Sequence, residues 1–356
     1  MNDEPATEVY YNKSFSLEEI ARDIEITNVG REAEELARKY GYLPYMIQRY
    51  IEMLGYEETL ELLKAFENFR RRPAILCNHL KIDCEQLVER LSRMGFELRT
   101  IPWCDIGYVV VKSASSPTLG ATHEYLKGYY YVYRDSASLV PVIALSPRSG
   151  STVLDLCAAP GGKSVHILIR MKDHGLLFAN DASRARLKSL ATNLFRMGFK
   201  SYVVLSEDGI SLSSKISIRF NYVLLDAPCS AEGAIMFDKS RKTKTTQKDL
   251  VKLVVREIRL LLSAIKLASC GARIVYTTCS IAPEENEYVI TKVMDLLGKN
   301  VIDVEDVGIG IGDRGLTRFR DMKFNSKLSR CIRIWPHRHL MEGYFVCVLR
   351  KLREIY

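Results

Sequence analysis

Five short apolar runs, each separated from the next by a longer stretch, constrain this chain more than any other feature. They are "TVLDLC", "LLFAND", "YVVLSED", "NYVLLDAP" and "ARIVYTTC". The intervals include "RLKSLATNLFRMG" and "KDLVKLVVREIRLLLSAIKLA", whose apolar residues recur every three or four positions. Strands separated by helices imply a parallel sheet with right-handed crossovers. Two more strand runs in "CIRIWPHRHLMEGYFVCVLRK" have no helix between them, which predicts an antiparallel hairpin closing the sheet. The expectation is an α/β fold with a seven-stranded sheet.

The 356 residues are too many for one ordinary domain. From 31 to 68 the apolar period is helical, as in "REAEELARKYGY" and "YEETLELLKAFENF". A basic patch, "RRR", then leads into a strand, "AILC". "IDCEQLVERLSRMG" reads as a helix with Asp83 as N-cap and Gly95 as its stop. "FELRTIPW" and "GYVVV" read as further strands. Residues 1–112 therefore read as an appended helical and α+β module, and residues 113–356, after "SASSPTLG", as the main domain. "MNDEPATEVYYNKS" reads as a loose polar tail.

Apolar runs fall short of the ~18–20 residues that span a bilayer. The nine cysteines contain no C-x-x-C pair, and no secretory leader is read at the N-terminus. The expectation is a reduced, cytoplasmic setting with free thiols. Cys77, Cys84, Cys104, Cys270, Cys331 and Cys347 are read as small buried hydrophobes. His337 and His339 lack a third ligand nearby, so no metal is expected. Lysine plus arginine outnumber aspartate plus glutamate 51 to 43, a balance that suits a polyanion without demanding one.

"DLCAAPGGKS", residues 155–164, follows the first strand and opens a helix. Gly161 and Gly162 let backbone approach a ligand closely at a helix N-terminus. A phosphate-binding P-loop would need glycine at 157, where Cys157 stands, and the dinucleotide G-x-G-x-x-G is absent. The next strand ends in Asp181, suited to a ribose diol, and the third in Asp208, suited to an adenine amino group. Each alone is an ordinary strand-end cap. Together with Asp226, and without a phosphate cradle, they point to S-adenosylmethionine.

Two adjacent strands each end by offering a thiol: Cys229 in "DAPCSAEG" and Cys279 in "YTTCSIAPEENE". With "DLCAAPGGKS" and "YYYVYRDSASLVPV", these blocks resemble the RNA cytosine-C5 methyltransferases of the Sun-domain group from about residue 120 onward. The N-terminal region resembles that family's appended module more weakly, around "NHLK". The resemblance implies a Rossmann-like class I methyltransferase in which Cys279 adds to C6 of the base and Cys229 assists release. It implies Asp226 on the base's N3/N4 edge, with Lys163 in the same network. The implied cofactor set is Cys157, Ala158, Ala159, Pro160, Gly161, Gly162, Lys163, Asp181, Arg186, Asp208 and Asp226. The sequence departs from the family's pattern at Ala231, Arg134 and Cys77, which bears on substrate placement.

The expected partner is RNA, guided by "RRR" at 70–72 and by Lys239, Arg241, Lys242, Lys244 and Lys248. The two-domain plan resembles archaeal tRNA enzymes, which favours tRNA over rRNA. A DNA cytosine-C5 methyltransferase would use the Pro-Cys thiol as nucleophile and need no second one. A catalytically idle RNA-binding scaffold is the other alternative. The sequence leaves the oligomeric state open.

Overall fold

The computed structural model describes residues 16–298 and 300–355; the tail read at 1–14 lies outside them. The helical period resolves into α1 (Leu17–Ile24), α2 (Arg31–Tyr40), α3 (Pro44–Leu54) and α4 (Tyr56–Glu67). The first of these precedes the stretch read as helical. Its N-cap Ser16 accepts from the Glu19 N–H. Gly41, at φ 76°, ends α2 in the left-handed region that glycine tolerates best.

An antiparallel sheet follows, of β1 (Ala74–Cys77), β2 (Glu97–Ile101), β3 (Cys104–Lys112) and β4 (Tyr130–Tyr133), in the order β2-β3-β1-β4. Helix α5 (Cys84–Arg93) starts where the Asp83 carboxylate accepts from the Glu85 and Gln86 N–H groups, as the sequence predicts. Residue 112 is the last of β3, yet β4 pairs with β1 eighteen residues later, from Ala74↔Tyr133 to Cys77↔Tyr130.

The large sheet holds the five expected parallel strands: β5 (Thr152–Asp155), β6 (Leu176–Asn180), β7 (Tyr202–Leu205), β8 (Phe220–Asp226) and β9 (Ala268–Thr278). Its crossover helices include α6 (Gly162–Arg170), α7 (Arg184–Met197) and α8 (Gln247–Leu267). Helix α9 (Glu287–Leu297) follows β9. Beyond it come β10 (Ile302–Glu305), β11 (Asp313–Arg314), a separate ribbon of β12 (Arg318–Phe319) and β13 (Met322–Lys323), then β14 (Ile332–Ile334) and β15 (Tyr344–Lys351). The strand order is β11-β14-β15-β9-β8-β5-β6-β7, with β10 also on β15, so nine strands replace the expected seven. The seven are present from β14 to β7, and β14 and β15 pair antiparallel as expected. A one-turn helix, Pro336–His339, lies in their connection.

Both faces of this sheet are apolar. Val223, Leu225, Ile274 and Tyr276 pack into one core, while Leu224 and Val275 between them pack into the other. The first core also takes Ile20, Met46, Ile47, Leu63 and Phe66 from α1–α4, packed with Val254 and Ile258 of α8. The second takes Ile75, Leu76 and Tyr130 from the smaller sheet. The N-terminal residues therefore cover both faces of the large sheet, instead of standing apart from it. No helix among the described residues is long and apolar enough to cross a membrane.

Four cysteines depart from the free-thiol expectation. Cys77–Cys84 and Cys331–Cys347 are disulfides. The first pair is seven residues apart across the turn from β1 to α5, and the second joins the residue before β14 to β15. Both pairings are products of tertiary proximity, which spacing in the sequence does not display. Of the other two read as buried, Cys104 is buried and Cys270 is exposed, both unbridged.

Candidate active site

Parallel neighbours β8 and β9 align Asp226 with Thr277, so both strands end at one level. Pro228 and Thr278 then lead to the two thiols, whose sulfurs are 3.6 Å apart. The loops that carry them are cross-linked beneath. Ser230 Oγ lies 3.2 Å from Ser280 Oγ and donates to Glu285 Oε2 at 2.5 Å, and the Ser230 N–H donates to Glu285 Oε1 at 2.6 Å. Only glycine fits at 233, because a Cβ there would lie 2.0 Å from the Gly343 carbonyl oxygen. The Gly233 N–H donates to the Cys279 carbonyl at 2.9 Å.

A cavity of about 430 Å³ opens beside this pair. Cys279, Asp226 and Lys163 line it, with Cys157, Ala158, Ala159, Pro160, Gly162 and Arg186. Lys163 Nζ donates to Asp226 Oδ2 at 2.7 Å and to Tyr344 Oη at 2.9 Å. Burial alone would depress the Lys163 ammonium, but Asp226 and Tyr344 together outweigh it and hold the group well above its usual range. The Cys229 thiol is held well above the ordinary thiol range, first by its hydrogen bond with Cys279 and then by burial. Cys229 thus keeps its proton beside Cys279.

The remaining expected residues divide. Gly161, at φ 108°, forms the turn itself, as the close approach requires. Asp181 stands behind the turn, where its carboxylate accepts from the Ala159 N–H at 3.1 Å and the Ser183 N–H at 2.9 Å. Arg186 is 3.7 Å from Asp181 and donates to the Ala159 carbonyl. Asp208 is not brought to the cavity. It is exposed, and its Oδ1 accepts from the Ile210 N–H at 3.1 Å as a local cap.

Two residues that build the site escaped the sequence reading. Asn180 is buried and its side-chain amide donates to the Leu156 and Glu207 carbonyls, 3.0 Å each, fastening three strand-end loops together. Asp155 is fully buried in the cavity wall. Its Oδ2 accepts from Ser164 Oγ at 2.7 Å, but nothing among the described residues donates to its Oδ1. Burial pushes this carboxyl up to about 7, against the Ser164 hydrogen bond. An acid inside the apolar run "TVLDLC" is the signal that marks it. An unpaired buried carboxylate oxygen is costly, and a ligand ammonium would relieve it. The amino group of S-adenosylmethionine therefore fits the Asp155 carboxylate.

The expected basic loop is partly turned inward. Lys239 and Lys242 both pair with Glu67, and Arg241 pairs with Asp238 at 3.0 Å. Lys242 is tied further to the Tyr40 carbonyl at 2.8 Å. His337 and His339 serve structure, through Glu58 at 2.9 Å and the Trp335 N–H at 2.9 Å.

Known proteins resemble the chain over most of its length. Residues 43–133 match the N-terminal domain of 16S rRNA methyltransferase RsmF. The chain is 37% identical over 325 residues to the 26S rRNA (cytosine-C(5))-methyltransferase nsun-1 of Caenorhabditis elegans, covering 90% of this chain and 48% of that protein. It is 31% identical over 290 residues to the ribosomal RNA small subunit methyltransferase F of Vibrio campbellii, covering 80% of this chain and 58% of that one. It thus spans about half the length of these curated relatives. A crystal structure of a methyltransferase homologue from Pyrococcus horikoshii superposes with a TM-score of 0.80 at 27% identity, covering 91% of this chain and 100% of that one. The family model of 16S rRNA methyltransferase RsmB/F matches residues 142–350, and with more than half its length inside that match the chain belongs to the RsmB/F family.

Proposed function

We propose that this protein methylates C5 of a cytosine in RNA, using S-adenosylmethionine. The observation that carries the reading is the pair of thiols 3.6 Å apart beside the Lys163–Asp226 ion pair. C5 of cytosine is too weak a nucleophile to be methylated directly. Addition of the Cys279 sulfur to C6 makes C5 enamine-like, which divides one difficult step into easier ones. Asp226, paired with Lys163 at 2.7 Å, accepts from the N3/N4 edge and favours the protonated, electrophilic ring. The bound cofactor supplies an electrophilic methyl group. Loss of the C5 proton to solvent then restores the ring and expels the Cys279 sulfur. Cys229, 3.6 Å from the departing sulfur, assists this proton-removal and elimination stage.

The substrate within RNA is a finer question. The relatives that match are named for rRNA, of both the large and the small subunit. Their names favour rRNA as the first substrate to test, with tRNA, which the two-domain plan suggests, as the second. A cytoplasmic setting goes with either.

The test is a denaturing gel with labelled cofactor and either RNA or DNA. Cys279→Ala should give neither product nor adduct. Cys229→Ala should trap protein cross-linked to methylated RNA, because addition precedes methylation and elimination follows it. An adduct from Cys279→Ala and none from Cys229→Ala would reverse the roles and revive the DNA-enzyme arrangement. Absence of methyl transfer to any nucleic acid would leave the scaffold reading.

A further inference from the structure

A second opening, of about 510 Å³, lies between the smaller sheet and the connection from β14 to β15. Its size suits a small-molecule-sized group, within the ~300–1,000 Å³ typical of ligand sites. Arg70, Arg72, Arg99 and Trp103 line it. The three arginines are exposed, and none makes an ion pair with a described residue. That sets them apart from the basic loop, where Lys239 and Lys242 share Glu67 and Arg241 pairs with Asp238.

The opening adjoins the candidate active site, with residues adjacent in the chain lining each. Arg134 and Ser138 line the catalytic cavity while Asp135 and Ser136, between them, line the groove. Leu340 and Met341 line the groove while Glu342 and Tyr344 line the cavity. The basic strip is also fixed to the catalytic loop: Arg71 and Arg134 lie over the ring of Phe237, 5.9 and 4.4 Å from its centroid. One wall carboxyl, Asp135, accepts from the Ala137 N–H at 2.9 Å. Burial, then Glu342, pushes it up to about 7, so near neutral pH it is only partly ionised beside the three arginines.

A cytosine that enters the catalytic cavity has left its stack, and its neighbours must be unpaired or distorted to allow it. An unstacked neighbour exposes a base face and a phosphate. We propose that this groove binds the unpaired nucleotide next to the target cytosine, with its base stacked on Trp103 and its phosphates met by Arg70, Arg72 and Arg99. The inference rests on the reading of the chain as an RNA methyltransferase. Stacking on an aromatic ring is tolerant of sequence, so the groove selects an unpaired flank and not a particular base.

The chain has two tryptophans, and Trp335 is only 3% exposed, so Trp103 is the one that a ligand can reach. Full-length protein is titrated with a single-stranded RNA oligonucleotide containing one cytosine, and with the same oligonucleotide carrying abasic flanks. The intact oligonucleotide should quench tryptophan emission. Trp103→Ala should abolish the quench and weaken binding roughly 5- to 150-fold, with Trp103→Phe retaining most of the affinity. Abasic flanks should erase the difference between wild type and Trp103→Ala, and cofactor affinity should be the same in all three proteins. RNA that binds and is methylated without quenching, and as tightly to Trp103→Ala as to wild type, overturns the groove and leaves the methyltransferase reading intact. Wild type that neither binds nor methylates any RNA overturns both.

Discussion

Arg49 offers the sharpest test of how the N-terminal helices support the catalytic loops. Helix α3 carries it into the interior, where its side chain is 0% exposed. Its Nη1 is 2.6 Å from Glu232 Oε1, on the Cys229 loop, and its Nε is 3.0 Å from Glu284 Oε1, on the Cys279 loop. Tyr50 Oη donates to the other Glu232 oxygen at 3.1 Å. Arg49→Met keeps most of the volume and removes the charge, leaving two buried carboxylates without their cation. Breaking a buried pair in this way costs about 3–5 kcal/mol. Unfolding entropy of about 2.1 cal/mol/K per residue makes about 4 kcal/mol equivalent to a Tm loss of about 5 °C for a chain of this length. The loss should depend on pH. Burial already pushes Glu284 up, and Arg49 opposes it. Without Arg49 the folded carboxyl holds its proton further above its unfolded value, so the folded state binds more protons than the unfolded. The added penalty is then absent below about pH 4 and grows as pH rises through the raised folded pKa. Scanning calorimetry should show a larger Tm difference between variant and wild type at pH 8 than at pH 5. A difference below about 1 °C, or one equal at the two pH values, would refute the argument.

Asp181→Ala should weaken cofactor binding about tenfold or more, since it removes a carboxylate and loosens the Ala159 turn it braces. Calorimetric titration of the folded variant checks this, and unchanged affinity would remove Asp181 from the cofactor site. Ala231→Gly should be stabilising by up to about 1 kcal/mol, because Ala231 sits at φ 59°, where an L-residue is strained by about 1–2 kcal/mol and glycine loses only about 0.5–1 in entropy. A fall in Tm would show that the Ala231 methyl group makes a contact worth more than that strain.

The parallel sheet was legible because both of its faces are buried, which turns each strand into a continuous apolar run with polar residues at its end. Cys229, Cys279, Asp226 and the Gly161–Gly162 turn could be located for that reason. β10 and β11 were not, since strands of four and two residues on an edge carry too little pattern. Arg49 was hidden by its own helix: a cation in "LPYMIQRYIEMLG" reads as a solvated face, and only the fold supplies Glu232 and Glu284. Charge in the 239–242 stretch shows the same limit, because the sequence does not display that Glu67, on a helix distant in the chain, pairs with two of its cations. Asp208 shows the limit of strand-end reasoning, which gives the height of a residue but not which way its carboxylate turns.

The position of β15 has a consequence for how the protein is made. This strand, at residues 344–351, lies inside the sheet, between β9 on one side and β14 and β10 on the other. It also brings Tyr344 to Lys163. Synthesis is vectorial, and domains tend to fold as they emerge. Yet β9 lacks its outer neighbour, and Lys163 its phenol, until residue 351 has left the ribosome. A nascent chain can therefore hold the glycine turn and both thiols and still have an unfinished catalytic wall. The wall that carries Tyr344 is complete only once the sheet has closed.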